Sequence, residues 1–297
     1  MIKKFFVTLI ACSAFLVSCN NDDDSVDKMT IESRNSLDDK AIEQFLNDYY
    51  FSPENGKLTK FDDKDDSDNN YPSLKTLAKY DAAGYWYAQN PNHVGTGENI
   101  VSNDDTKIYL SYQTTIFKST DDLTSTDNSS KKYYGNITLG NGGATFNTGD
   151  GSALPDPEFY YFMPTELEVK NGVTRANREL KYFTEGLKHF KSTNKSTSDL
   201  YNFQGVIILP SRSAYARNRY YLNSTNGLSD LTYRDVSFIY NFELVKTEKR
   251  LALAQKNNDA EQIKYYQSEI IKLSAGLNFE EIMYIDEFIL KQKFLDN

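Results

Sequence analysis

Cysteine and histidine are scarce in this chain, two of each in 297 residues, and Cys12 lies within an apolar run near the start. If that run is removed on export, Cys19 is the only cysteine left, which excludes an intrachain disulfide and a thiolate metal cluster even in an oxidising compartment. Positive charge is short as well. Lys and Arg number 33 against 42 Asp and Glu, a net charge of -9, and no basic patch has the density that phosphate binding needs, so nucleic acid is excluded as a partner. Long hydrophobic runs are missing: Phe5 to Leu16 is too short to cross a hydrocarbon core, which takes about 20 residues. Two polar segments lack the residues that would give them chemistry. Phe61 to Asn70 is rich in acidic and amide groups but has no glycine at the sixth position of an EF-hand pattern, and reads as a solvated loop. Asn136 to Gly151, full of glycine and asparagine, lacks the lysine and hydroxyl residue that follow a P-loop, and reads as turns.

What is present begins with Lys3 and Lys4, the apolar run, and small residues before Cys19, the layout of a secretory signal. Leu16-Val17-Ser18-Cys19 resembles the lipobox of bacterial lipoproteins, which implies lipid on Cys19 as the first mature residue and a place at the outer membrane, on its periplasmic face or at the cell surface. The acidic run Asn20 to Asp24 has two readings that stay open: a self-repelling, extended tether, or a signal similar to the surface-export signal of some outer-membrane lipoproteins.

Residues 1-18 are therefore expected to be the signal and 19-36 a tether. Residues 37-82 read as a helical extension. Leu37 to Phe51 has Ile42, Phe45, Leu46 and Tyr49 at helical spacing, with Asp38 or Asp39 able to cap it, and Tyr71 to Ala82 reads as a second helix through Leu74, Leu77, Ala78 and Tyr80. From Gly84 the pattern turns to strands: Tyr85 to Tyr87, Lys107 to Tyr112, Val206 to Leu209 and Phe238 to Val245.

The order of several segments carries more than any one of them. Gly84-Tyr85-Trp86-Tyr87, Gly95-Thr96-Gly97 and Lys107-Ile108-Tyr109-Leu110-Ser111-Tyr112 resemble the opening strands of FKBP-type peptidyl-prolyl isomerases. Leu180-Lys181-Tyr182-Phe183-Thr184-Glu185-Gly186-Leu187 resembles that family's short helix. Ile207 to Tyr215, with Pro210-Ser211 and Ala214-Tyr215, resembles the strand and loop that follow, and Phe238 to Leu244 the last strand. The likeness covers residues 83-248, with an insertion at about 124-175. It implies an α+β fold, an FKBP-like antiparallel sheet wrapped over one short helix.

The resemblance also implies a chemistry. Rotation about an X-Pro bond meets a barrier of about 18–20 kcal/mol set by amide resonance, and a dry aromatic pocket that holds the twisted amide lowers it without nucleophile, metal or cofactor. Carried over by position, Phe183 is the floor where the family usually has tryptophan, Leu180 lies beside it, Tyr112 and Tyr240 are walls, and Tyr215 offers its hydroxyl to a substrate carbonyl. Each of these aromatics also reads as an ordinary core side chain. The chain departs from the family at Phe183, at Ala216, where glycine usually follows the tyrosine, and over Thr232 to Val236, which lacks the usual proline pair.

Residues 249-297 are expected to form a helical hairpin, from capping-box patterns at Asp259 and Asn278 with Gly276 between them. Within the FKBP-like class the chain looks most like gliding-motility-associated lipoproteins. That likeness implies proline-containing or partly unfolded envelope proteins as partners, and contact with subunits of a secretion complex. Two readings from other classes stand beside it, a non-catalytic chaperone or assembly subunit, and a surface glycan-binding lipoprotein whose tyrosines stack on sugars.

Overall fold

The computed structural model describes residues 29–120, 138–139, 153–197, 202–216, 220–223, 228–230 and 233–256, with isolated positions beyond. In chain order its helices are α1 (Ile31–Asp48), α2 (Leu74–Leu77), α3 (Glu166–Lys170), α4 (Lys181–Leu187) and α5 (Arg250–Lys256). The strands are β1 (Tyr49–Phe51), β2 (Leu58–Lys60), β3 (Lys79–Asp81), β4 (Tyr85–Gln89), β5 (Thr106–Phe117), β6 (Thr138–Leu139), β7 (Leu154–Pro155), β8 (Gly205–Leu209), β9 (Tyr220–Asn223), β10 (Leu228–Asp230) and β11 (Ser237–Lys249). Among these, β1 pairs β2 and β9 pairs β10 as separate small sheets.

The main sheet is antiparallel throughout, in the order β3-β4-β8-β11-β5-β6, with β7 also on β5. Its longest strands, β5 and β11, run side by side, and β8 lies on the other edge of β11. Side chains on a strand alternate between faces, and here both faces are covered. Ile207, Leu209, Tyr240 and Phe242 point to one cluster with Phe183 and Leu187 of α4, whereas Val206, Ile208 and Ile239 point to another with Ala41, Ile42, Phe45 and Leu46 of α1. Every residue of β8 is consequently buried, which is why that strand reads as an unbroken apolar run.

The mixed helix and antiparallel sheet class agrees with expectation, and four local assignments need correction. The segment 19-36 is not all tether, since α1 starts at Ile31 and already buries Arg34 and Leu37. Asp38 is not a cap. It lies within α1, fully buried, accepting hydrogen bonds from the Ser119 hydroxyl and from the Ser211 amide at 3.1 Å and hydroxyl. Arg34 donates to the Ser119 carbonyl at 2.6 Å, so α1 is pinned by polar groups to the end of β5 and to the loop after β8. Burial pushes the Asp38 carboxyl above the usual carboxylate range, against the Ser119 and Ser211 hydrogen bonds and nearby Arg34.

The helix expected through Phe51 ends at Asp48, and Tyr49 to Phe51 pairs with Leu58 to Lys60 instead. The helix expected over Tyr71 to Ala82 is one turn, Leu74–Leu77. Ala78 is extended, and Lys79 to Asp81 hydrogen-bonds as a strand to Tyr85 to Tyr87. A tight turn joins the two, closed by the Gly84 amide on the Asp81 carbonyl at 2.9 Å, with Gly84 at φ 102°. That backbone region is open to glycine and nearly closed to other residues, so the hairpin overrides the helical spacing of the preceding segment. The expected C-terminal helices from Asp259 and Asn278 lie outside the described residues, apart from α5 and a few isolated helical positions. Among the described residues no helix is long and apolar enough to cross a membrane. Cys19 and the signal also lie outside them.

Candidate functional site

Helix α4 crosses one face of the sheet and turns Phe183 and Leu187 inward, with Leu180 just ahead of its first turn. Beneath it, β5 supplies Tyr112 and β11 supplies Tyr240, while a short 3-10 turn, Ser211–Ser213, delivers Tyr215 from the loop after β8. All five residues carried over from the family resemblance fall in one cluster. The ring of Phe183 lies 4.4 Å from that of Tyr240. Tyr215 sits at the margin, its ring 5.7 Å from Phe238, which stacks on Tyr240 at 5.9 Å.

These side chains are covered rather than displayed, with exposures from 0% at Phe183 and Tyr240 to 6% at Tyr215. The space between them is filled by Phe159, from the stretch read in the sequence as an insertion. Its ring meets Phe183 edge-on at 5.0 Å and Tyr112 edge-on at 5.1 Å, and lies 4.9 Å from Tyr240. The backbone takes part too: the Leu180 amide donates to the Phe159 carbonyl at 2.7 Å. The Tyr215 hydroxyl donates to the Arg178 carbonyl at 2.8 Å, so this hydroxyl and the Leu180 amide are both held by carbonyls of this same chain. Burial raises the Tyr112 phenol above its usual range, helped by the nearby Glu158 carboxylate, and leaves it neutral at any physiological pH.

Phe159 belongs to a tight strap, Pro157 to Tyr161, in which the Tyr160 and Tyr161 amides both return to the Pro157 carbonyl at 2.8 and 3.0 Å. The strap is fastened at several points. Asp156, just before it, forms a two-pronged ion pair with Arg250 at 2.6 and 3.0 Å. Glu158 pairs with Arg178 at 2.9 Å, and the Tyr160 hydroxyl donates to the Thr106 carbonyl at 2.9 Å. The Arg250 guanidinium lies 3.6 Å from the centre of the Tyr161 ring, at the distance of a close cation–π contact.

Outside this closed cluster an open groove of about 520 Å³ runs along the outer side of α4. Its lining is mixed polar and apolar, with Asp104, Arg175, Glu179, Tyr182 and Thr184 among the residues that face it, and none of the five candidate residues lines it. Arg175 joins Asp104 and Glu179 at 2.5 and 2.6 Å, so its charges are largely neutralised in place. Burial pushes the Glu179 carboxyl up, opposed by the hydrogen bond from Arg175. Among the described residues no group of three His, Cys, Asp or Glu side chains is placed to hold a metal ion.

Sequence reasoning did not single out Phe159, Asp156, Arg178 or Arg250. The available signal was the run Phe159-Tyr160-Tyr161-Phe162 after Pro157, an apolar stretch inside the segment read as an insertion. No protein family, curated protein or solved structure matches the chain.

Proposed function

We propose that this chain is an FKBP-type peptidyl-prolyl isomerase tethered to the outer membrane through Cys19, assisting the folding of envelope or secreted proteins. The observation that carries the reading is the gathering of Leu180, Phe183, Tyr112, Tyr240 and Tyr215 from four separate segments into one dry aromatic cluster between α4 and the sheet. Such a cluster is suited to a twisted amide, which has lost resonance and sheds its polar hydration more easily than a planar one. A second detail supports the reading. Ala216, at the position where the family usually has glycine, adopts φ 50°, the left-handed region that glycine enters without strain.

A non-catalytic chaperone or assembly subunit is the second reading. The filling of the cluster by Phe159 favours it, because a substrate must find room that this side chain takes up. The separating experiment is the cis-to-trans rate of a short X-Pro peptide with soluble protein beginning at Ser25, run beside Tyr215→Phe and Phe183→Ala. Acceleration that drops in both variants supports the isomerase. A folded sample that gives no acceleration, with Phe159 trimmed as well as intact, ends the isomerase reading and leaves the binding module.

A further inference from the structure

We infer that the cleft under α4 is a binding site for a tight turn of another polypeptide that presents one bulky apolar side chain, and that Phe159 is its built-in occupant. The inference rests on the reading of the five-residue cluster as a ligand site, and adds what the site accepts and what keeps it shut.

Phe159, 3% exposed, meets the candidate cluster through both its side chain and its backbone. Its ring has three aromatic walls, Phe183, Tyr112 and Tyr240, at 5.0, 5.1 and 4.9 Å. Two of the three meet it edge-on, at 86° and 87°, which places ring hydrogens of one partner against the electron-rich face of the other. Its carbonyl takes the Leu180 amide at 2.7 Å. The residue thus offers an apolar ring and its own carbonyl in one place, a pairing that any phenylalanyl, leucyl or prolyl residue in a turn can reproduce.

The presenting turn is short and locally closed, with the Tyr160 and Tyr161 amides on the Pro157 carbonyl. Its fastenings lie to either side of Phe159: Arg250 on Asp156, Arg178 on Glu158 and the Tyr160 hydroxyl on the Thr106 carbonyl. A strap held by two ion pairs and a hydrogen bond keeps the ring at a high effective concentration over the cleft. A ligand in solution must compete with that intramolecular partner. The native chain is therefore expected to bind such turns weakly, and the cleft to be unmasked when the ring is removed or the strap let go.

The test offers a capped tetrapeptide, Pro-Glu-Phe-Tyr, to the native chain, to Phe159→Ala and to Glu158→Ala, and follows binding by thermal shift and by the amide resonance of Leu180. A peptide with alanine in place of phenylalanine is the control for the side chain. Toluene, which fills an apolar hole but has no carbonyl, is the control for a plain cavity. At least tenfold tighter binding of the phenylalanine peptide by Phe159→Ala than by the native chain is expected, with a shifted Leu180 amide and a smaller gain in Glu158→Ala. Stabilisation of Phe159→Ala by toluene but not by the peptide marks an ordinary core position and overturns the inference. Should Phe159→Ala not fold alone, Glu158→Ala carries the test, with tighter binding of the phenylalanine peptide than by the native chain still expected and equal binding overturning the inference. X-Pro isomerisation is measured on the same samples. Peptide binding without acceleration keeps the inference and ends the catalytic reading. Equal acceleration by the native chain and Phe159→Ala, with equal peptide affinity, overturns the inference and leaves the catalytic reading standing.

Discussion

Replacing Arg250 by methionine is expected to be among the most destabilising surface-distant changes that leave the sheet's own side chains untouched. The Arg250 side chain is 4% exposed and that of Asp156 18%, so neither charge has free access to water. Besides the two-pronged pair with Asp156, the guanidinium donates to the Asn103 carbonyl at 2.8 Å and the Thr106 carbonyl at 2.9 Å, and covers the Tyr161 ring. Methionine keeps most of the apolar stem and none of these bonds, which leaves the half-buried Asp156 carboxylate without its counter-charge. Breaking a buried pair from one side costs about 3–5 kcal/mol. At this chain length each kcal/mol lowers Tm by about 2 °C, so a fall of about 6–10 °C is expected, with a lower urea midpoint at unchanged m. Asp156→Asn removes the charge, keeps an oxygen for the Ile108 amide now bonded at 3.0 Å, and tolerates the φ of 40° at that position. The double variant should cost less than the sum of the two singles by about 0.5–3 kcal/mol. Additive costs, or a Tm fall under about 2 °C for Arg250→Met, would refute the claim that this pair fastens the strap to the start of α5.

Ala216→Gly is expected to stabilise the chain. Relief of a left-handed backbone at an alanine, about 1–2 kcal/mol, outweighs the extra freedom glycine loses on folding, about 0.5–1 kcal/mol, and the urea midpoint should rise accordingly; a fall would show that φ 50° is not strained there. His93 supplies a pH dependence. Burial holds its imidazole below the usual range, with Lys195 adding to the effect. The unfolded chain then takes up the proton first, so the stability tied to neutral His93 is complete above about pH 6.5 and is lost as pH falls through the lower folded value. His93→Gln should flatten the midpoint against pH between neutral and mildly acid conditions; an unchanged slope would reassign that dependence to other groups.

The parts of the fold legible in the sequence are those where one physical rule acts alone. Strands β4, β5, β8 and β11 were found, short at one or both ends, because β-branched and aromatic residues between turn signals report pleated, buried chain directly. Helix α4 was legible for a different reason, the family likeness of the eight residues from Leu180 to Leu187. Where two rules compete, the sequence misleads. Arg34 and Asp38 break the apolar spacing of α1 and read as tether and cap, yet each is buried, because Ser119 and Ser211, far along the chain, supply their partners. Nothing local announces that compensation. Likewise Tyr80 sits at helical spacing from Leu77, but pairing across Gly84 with Trp86 wins, since a closed hairpin satisfies backbone groups that a frayed helical turn leaves open.

The candidate site shows the same division at the level of chemistry. A likeness in local sequence can nominate Leu180, Phe183, Tyr112, Tyr240 and Tyr215, because each sits in a segment whose pattern is read from a few neighbours. It cannot say what fills the space between them, since that depends on where a distant segment returns. Phe159 returns there for reasons spread along the chain: Arg250, the first residue of α5, holds Asp156, Arg178 ahead of α4 holds Glu158, and Thr106 at the start of β5 holds Tyr160. The residues that hold the occupant in place thus lie in β5 itself, just ahead of α4 and just after β11, beside the segments that supply the aromatic cluster. Opening the site and loosening the fold around it are therefore linked in this molecule, and a ligand that displaces Phe159 should lower the protection of the Tyr160 and Tyr161 amides while leaving β8, buried along its whole length, unchanged.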